Sequence, residues 1–242
     1  MSSELYAGLA GRYHRHGRAV IAKLLPPYVI TATADPAAVI ESELMPAELA
    51  SVERAVPKRR RQFAAGRHCS HVALARLGIE GFAVLAGPKR EPLWPRGIVG
   101  SITHCDSFSA ASVTRAGALR SIGIDAEPAS LLPDGVAALV CRPEELRWIA
   151  SRAGDGVPWD KVVFSAKESV YKAWFPLAKR WLDYQDVAVE IEPATGRFLA
   201  VPLFSPPPVL GPAFKEFAGR FARTDHHVFS AVTIGDVGTA GW

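Results

Sequence analysis

Two stretches decide how this chain is read: Ile122-Gly123-Ile124-Asp125-Ala126-Glu127 and Phe164-Ser165-Ala166-Lys167-Glu168-Ser169-Val170-Tyr171-Lys172-Ala173-Trp174. The first alternates with period two, which predicts a strand with Ile122, Ile124 and Ala126 on the core face and Gly123, Asp125 and Glu127 on the other. Gly123 carries no side chain, so that face leaves room for a bulky neighbour. The second has helical spacing, with Val163, Phe164, Val170, Ala173 and Trp174 as its apolar residues; Glu168 and Lys172, four apart, share a face. Each motif alone reads more readily as a solvated strand end or a surface ion-pair face. The apolar residues threaded through both make them half-buried instead. Three carboxylates beside lysines, with no histidine or cysteine at ligand spacing, suit Mg²⁺ holding a phosphate better than Zn²⁺, and the chemistry indicated is phosphoryl transfer.

The surrounding chain has 242 residues, 49% of them hydrophobic, enough for one large domain or two smaller ones. No internal repeat stands out in the letters. The formal charge is +4 with a pI near 9.1, and the basic residues cluster at 58–61 and 179–180. Lys58-Arg59-Arg60-Arg61 reads either as a solvated helix start or as an anion contact. No helix-turn-helix, zinc or aromatic ribonucleoprotein pattern accompanies these charges, so nucleic acid is not an expected partner. Cys69, Cys105 and Cys141 are odd in number and widely spaced, as expected of reduced thiols buried as small hydrophobes in the cytoplasm. The most apolar N-terminal stretch, 19–30, is interrupted by Lys23 and Pro26-Pro27 and is followed by no cleavage signal, so neither export nor a membrane span is expected.

Along the chain, residues 1–26 carry Arg12, His14, Arg15, His16 and Arg18, a composition that fits a mobile arm or a short helix. A strand is predicted over 29–33 and a short helix over 47–56. A longer helix runs from Pro57 to about Leu77 and stops at Gly78. Within it Arg59 and Arg67 lie about 12 Å apart and about 80° around the axis, so both reach one side of an anionic ligand. Lys89 sits in the Gly/Pro-rich loop 87–92, rigid enough to aim a side chain. Strands over 98–103, 110–114 and the Asp125 motif are predicted to be adjacent and antiparallel, bringing Ser101, Thr103 and His104 near the carboxylates. His104 ends its strand beside hydroxyl residues, which favours a phosphate contact. One or two helices are expected over 134–152, a hairpin over 187–203, a second over 214–234, and a poorly ordered tail from Gly235 to Trp242.

The paired motifs resemble the signature of the 4′-phosphopantetheinyl transferases: a strand ending Gly-(Ile/Val)-Asp-x-Glu, then a helix of the form (Phe/Trp)-Ser-x-Lys-Glu-(Ser/Ala)-x-x-Lys-Ala. The segments 58–69, 87–95, 99–105 and 174–182 follow in the order of the family's monomeric surfactin- and enterobactin-activating class, the last segment being most similar to enterobactin-type and mycobacterial, hence actinobacterial, members. The resemblance spans about residues 45–235. It implies an α+β fold of two similar subdomains related by a pseudo-two-fold, with the active site at their interface. Residues 1–120 would contact coenzyme A; residues 121–242 would hold the metal and dock the carrier protein.

The implied reaction moves 4′-phosphopantetheine from coenzyme A to a serine of an apo acyl- or peptidyl-carrier domain, leaving 3′,5′-ADP. The carriers would serve polyketide, non-ribosomal peptide, siderophore or fatty-acid synthesis. By the same resemblance Asp125, Glu127 and Glu168 hold Mg²⁺, or Mn²⁺. Lys172 meets the α-phosphate and assists the leaving group, and Lys167 is a further phosphate contact. Arg59, Arg67, Lys89 and His104 match positions that bind coenzyme A, with His104 and an arginine best placed for the 3′-phosphate, and Ser101 is a hydroxyl donor nearby. Glu145 is the preferred general base over Glu144, with Glu127 and a metal-bound water as alternatives, and a surface position for Glu144 and Glu145 equally open. The apolar segment Leu131 to Val140 reads as a carrier dock or as a core helix. A metal-dependent phosphohydrolase and a non-catalytic coenzyme A-binding module remain the competing functions.

Overall fold

The computed structural model describes residues 19–39, 41–211 and 214–235, so the expectations for the first eighteen residues and the C-terminal tail lie outside the described residues. The described chain is mixed α and β, dividing into two compact units at Ala116/Gly117.

In the first unit, β1 (Ile30–Ala34), β5 (Ser109–Arg115) and β4 (Ile98–His104) form an antiparallel sheet in the order β1-β5-β4. Helix α1 (Pro46–Val52) precedes α2 (Pro57–Ala75), which lies across all three strands. Proline fits the first position of both helices because its missing N–H is one that a helix start leaves unbonded. Beyond α2, Gly78 adopts a positive φ of 79° that only glycine takes without strain. Cys69, Ala73 and Leu74 of the helix meet Ala32, Ala111 and Val113 of the sheet in one core. β2 (Leu85–Ala86) and β3 (Pro92–Leu93) make a hairpin that displays the Lys89 loop.

The second unit is a five-stranded antiparallel sheet in the order β6-β10-β9-β8-β7, built from β6 (Leu119–Pro128), β7 (Val187–Glu192), β8 (Arg197–Pro202), β9 (Phe217–Arg223) and β10 (His227–Gly235). The two predicted hairpins are these last four strands. The short helices α3 (Val136–Val140) and α4 (Pro143–Ser151) lead to α5 (Trp159–Ala178), which packs along β6 and β10.

Two expectations are corrected here. β6 is not a neighbour of β5: both edges of β5 are taken, by β1 and by β4, and β6 pairs with β10 instead, Asp125 opposite Ser230. The residues of β6 alternate as predicted, but both faces are buried and the largest apolar cluster lies on the Gly123 side. That cluster joins Val228, Val232 and Phe221 to Val163, Val170 and Trp174 of α5. The neighbour for which Gly123 leaves room is the helix itself. A Cβ built on Gly123 would stand 1.8 Å from the Ser169 carbonyl oxygen and 2.7 Å from the Ala173 nitrogen, both backbone atoms that cannot swing aside. Gly123→Ala is therefore expected to destabilise the protein by about 3 kcal/mol or more, the upper end for overpacking. Thermal unfolding monitored by circular dichroism would show a melting point about 6–12 °C lower; an unchanged melting point would mean that the helix does not lie this close.

The two units also share a short repeat that the letters alone conceal. Met45-Pro46-Ala47-Glu48-Leu49 opens α1 and Arg142-Pro143-Glu144-Glu145-Leu146 opens α4, and each is followed by a long helix containing Phe-x-Ala, Phe63-Ala64-Ala65 or Phe164-Ser165-Ala166. The glutamates act alike. Glu48 accepts from its own N-cap residue, Met45, and from the distant Val84 N–H; Glu145 accepts from Arg142 and from Val189. Counting from the shared phenylalanine, Arg67 and His71 stand in α2 where α5 carries Glu168 and Lys172.

Candidate active site

In the second unit α5 delivers Glu168 and Lys172 to the β6 face that bears Asp125. The Lys172 ammonium donates to Asp125 Oδ1 at 2.7 Å and to the Ile124 carbonyl at 3.2 Å. Burial works to lower the Lys172 pKa, but the surrounding charges of Asp125, Glu168 and Glu127 outweigh it and hold the ammonium protonated. Glu168 is pushed upward by burial and by Asp125, against the pull of Lys172 and of a hydrogen bond from Tyr184. Glu127, farther along β6, accepts from Lys161 at 3.3 Å. Burial and then the Asp125 charge raise its pKa to about 7 despite Lys161 and Lys172. The group is thus short of positive charge.

This imbalance has a sign that can be measured. With a folded pKa near 7 against 4.5 for the free side chain, the unfolded chain loses the Glu127 proton first as pH rises. In the presence of a metal chelator the protein is expected to hold the full contribution below about pH 4.5 and to lose stability progressively up to and through about pH 7. Glu168, shifted the same way, adds to the slope. Melting temperatures at pH 5 and pH 8 in chelator would check it; a higher value at pH 8 contradicts the burial of these carboxylates.

Lys167 and Glu145, expected as a phosphate contact and a general base, are not brought to this group. Lys167 follows Val163 and Ala166 into the interior, about 100° around the helix from Glu168. Its ammonium donates to the Val140 and Tyr184 carbonyls at 2.9 and 2.8 Å and pairs with Glu145 Oε2 at 2.8 Å, so all three of its protons are engaged. Burial lowers its pKa and Glu145 opposes the fall. Glu145 is neither on the surface nor open to a substrate: it caps α4 through the Arg142 N–H and also bonds the Val189 N–H. Its neighbour Glu144 is the exposed one, paired with Arg147.

The cationic residues expected to meet coenzyme A lie in the first unit. Arg59 of α2 donates from Nη1 to His104 Nε2 of β4 at 2.8 Å. An arginine can only donate, so the imidazole accepts there and its proton sits on Nδ1. Two turns along, Arg67 is 5% exposed and stacks on Phe63, 4.1 Å from the ring centroid. Burial lowers its pKa to about 10, offset in part by Glu48 and deepened by Arg59. Ser101 is buried on β4, and Lys89 is exposed at the hairpin tip, where Arg90 takes a positive φ of 67°. The other basic residues at the start of α2 turn elsewhere, Lys58 to Asp106 and Arg60 to Glu41. Cys69 and Cys141 are free and buried, and burial pushes both thiols to about 12, which removes them as nucleophiles at neutral pH.

Three residues at these sites escaped the sequence reading. Lys161 lies two helical turns before Glu168, a spacing that signals a shared face. Tyr184 follows α5 in a turn with no periodic signal. Glu48 is fully buried, and its hydrogen bonds from His71, Met45 and Val84 overcome the upward push of burial on its pKa.

Residues 47–114 match the 4′-phosphopantetheinyl transferase N-terminal domain, and residues 121–224 match the 4′-phosphopantetheinyl transferase superfamily. The chain is 44% identical over 223 residues to the 4′-phosphopantetheinyl transferase Svp of Streptomyces mobaraensis, covering 89% of each protein. It is 40% identical over 194 residues to the 4′-phosphopantetheinyl transferase PptT of Mycobacterium tuberculosis, covering 78% of this chain and 86% of that one. Enterobactin synthase component D of Salmonella typhi is more distant, 35% identical over 120 residues and about half of each chain. The two family matches and the near full-length identity to actinobacterial enzymes establish that this chain belongs to the 4′-phosphopantetheinyl transferase superfamily.

Proposed function

We propose that this transferase moves the 4′-phosphopantetheine of coenzyme A onto a serine hydroxyl of apo acyl- or peptidyl-carrier domains, and that Asp125, Glu127, Glu168 and Lys172 are the groups at the pyrophosphate. The observation that carries the assignment is the meeting of Lys172 with Asp125 under a helix that also supplies Glu168.

Among the described residues no three His, Cys, Asp or Glu side chains are gathered at metal-ligating distance. The donor set nonetheless fits a hard divalent cation: three carboxylates, one of them driven to a pKa of about 7 by burial and a like charge. Asp125, Glu127 and Glu168 would hold Mg²⁺, with Mn²⁺ as the alternative. Such an ion neutralises the pyrophosphate oxygens. Lys172 stays protonated beside Asp125 and meets the charge that develops on the departing 3′,5′-ADP. With Glu145 committed to Arg142, Val189 and Lys167, Glu127 is the carboxylate assigned to the serine proton. Arg59, Arg67, His104, Lys89 and Ser101 bind coenzyme A, the arginine–histidine pair taking its 3′-phosphate. Lys167 is withdrawn from the phosphate contacts.

The carrier dock is assigned to the segment around α3, which divides its residues: Leu132 and Val140 are buried, whereas Leu131 and Leu139 are 68% and 71% exposed. The exposed pair fits the apolar patch around a carrier's serine, with Arg142 and Arg147 close in sequence for acidic carrier residues. Free cysteines and action as a monomer in the cytoplasm complete the reading. No helix among the described residues is long and apolar enough to cross a membrane. Intact-protein mass spectrometry of an apo carrier incubated with the protein, coenzyme A and Mg²⁺ tests the whole: a gain of one phosphopantetheine supports it, and no gain across acyl- and peptidyl-carriers overturns it.

A further inference from the structure

We infer that Tyr184 is a positioning residue for Glu168, and that the buried Glu145–Lys167 pair exists to hold Tyr184 in place; the inference rests on the reading of Glu168 as a cation ligand. Successive residues of α5 grip this tyrosine at opposite ends. Its phenol donates to Glu168 Oε1, while its backbone carbonyl accepts from Lys167 at 2.8 Å.

The backbone around Tyr184 is fastened on both sides. It opens a short 3₁₀ turn, Tyr184–Asp186, capped by Asp183, whose carboxylate accepts from the Gln185 N–H at 3.0 Å. Gln185 donates from its side chain to the Leu139 carbonyl at 2.8 Å and accepts from Arg142 at 2.7 Å, which joins the turn to α3 and α4. Beyond the turn, Val189 of β7 donates to Glu145 Oε1 at 2.7 Å, and Glu145 Oε2 pairs with Lys167. The ring rests against Phe164, centroids 5.8 Å apart. Packing, backbone anchorage and ion pair all survive loss of the hydroxyl, which leaves the bond to Glu168 as the hydroxyl's own contribution.

A carboxylate with one oxygen held by a phenol presents the other in a set direction before any ligand arrives. Partners of this kind, bonded to a ligand rather than to the ion, are worth about 10- to 100-fold in metal affinity or activity. The lysine of the Lys167-Glu168 pair in the helical motif then acts on the reaction through Tyr184, with no contact to phosphate.

Tyr184→Phe in the full chain is the test, with Mn²⁺ alone as probe, read by electron paramagnetic resonance of the free ion and by calorimetry. We expect the Mn²⁺ dissociation constant to rise about tenfold or more and kcat to fall similarly, with KM for coenzyme A within about twofold and the melting point nearly unchanged. Wild-type Mn²⁺ affinity and kcat in Tyr184→Phe overturn the inference, as does a wild-type protein that binds no Mn²⁺. The isosteric double variant Glu145→Gln/Lys167→Met should weaken Mn²⁺ binding in the same direction; full affinity there, with loss in Tyr184→Phe, overturns the anchoring role of the pair. If wild type adds nothing to a carrier yet Tyr184→Phe still loses Mn²⁺, the transferase reading falls and the positioning of Glu168 stands.

Discussion

Lys167→Met is expected to cost about 3–5 kcal/mol of stability, because it leaves the Glu145 carboxylate buried without its cation. The Lys167 and Glu145 side chains are 2% and 4% exposed, so water cannot take the place of the lost ammonium. The Val140 and Tyr184 carbonyls lose their donor at the same time. For a chain of this size the melting point should fall by about 6–20 °C. Removing both charges, as in Glu145→Gln/Lys167→Met, should restore much of the loss, since the desolvation cost of the pair disappears with the pair. The result separates two roles. A phosphate contact would show a raised KM for coenzyme A at an unchanged melting point, and that pattern would refute the buried-pair assignment.

The second large effect is on chemistry. Glu168→Gln keeps the size and shape of the side chain and still accepts from Tyr184, but it removes one of the three carboxylates that act on Lys172. The rate of phosphopantetheine addition, followed by intact-protein mass spectrometry, should fall on the order of 10²–10³-fold, as for loss of a single preorganised electrostatic group. The melting point should hold or rise, because burial already disfavours charge on Glu168. Transfer within about threefold of wild type would remove Glu168 from the reaction.

The contrast between Lys167 and Glu168 bears on how much of the site was legible. The motif placed both on a helix, and its apolar spacing oriented that helix well enough to show Glu168 and Lys172 on one face. It did not show that the adjacent face, carrying Lys167, meets a second buried charge from α4, because Glu145 is separated from Lys167 by a loop whose path no local pattern determines. Gly123 was read as making room, which is right. That the occupant is backbone of α5, and not a ligand, follows only from the crossing of helix and sheet.

What the sequence determined by itself was local and periodic. The Asp125 strand, the α2 helix with its proline start, the α5 helix, the hairpins after residue 186 and membership of the family all follow from spacing, turn residues and motif order within short windows. The tertiary structure decided which edges pair and which buried charges find partners: β6 with β10 because β5 is filled on both sides, Tyr184 with Glu168, Lys167 with Glu145. Strand edges and buried ions are satisfied by whatever part of the chain packing brings near, and that contact is set by the whole fold and not by neighbours in sequence.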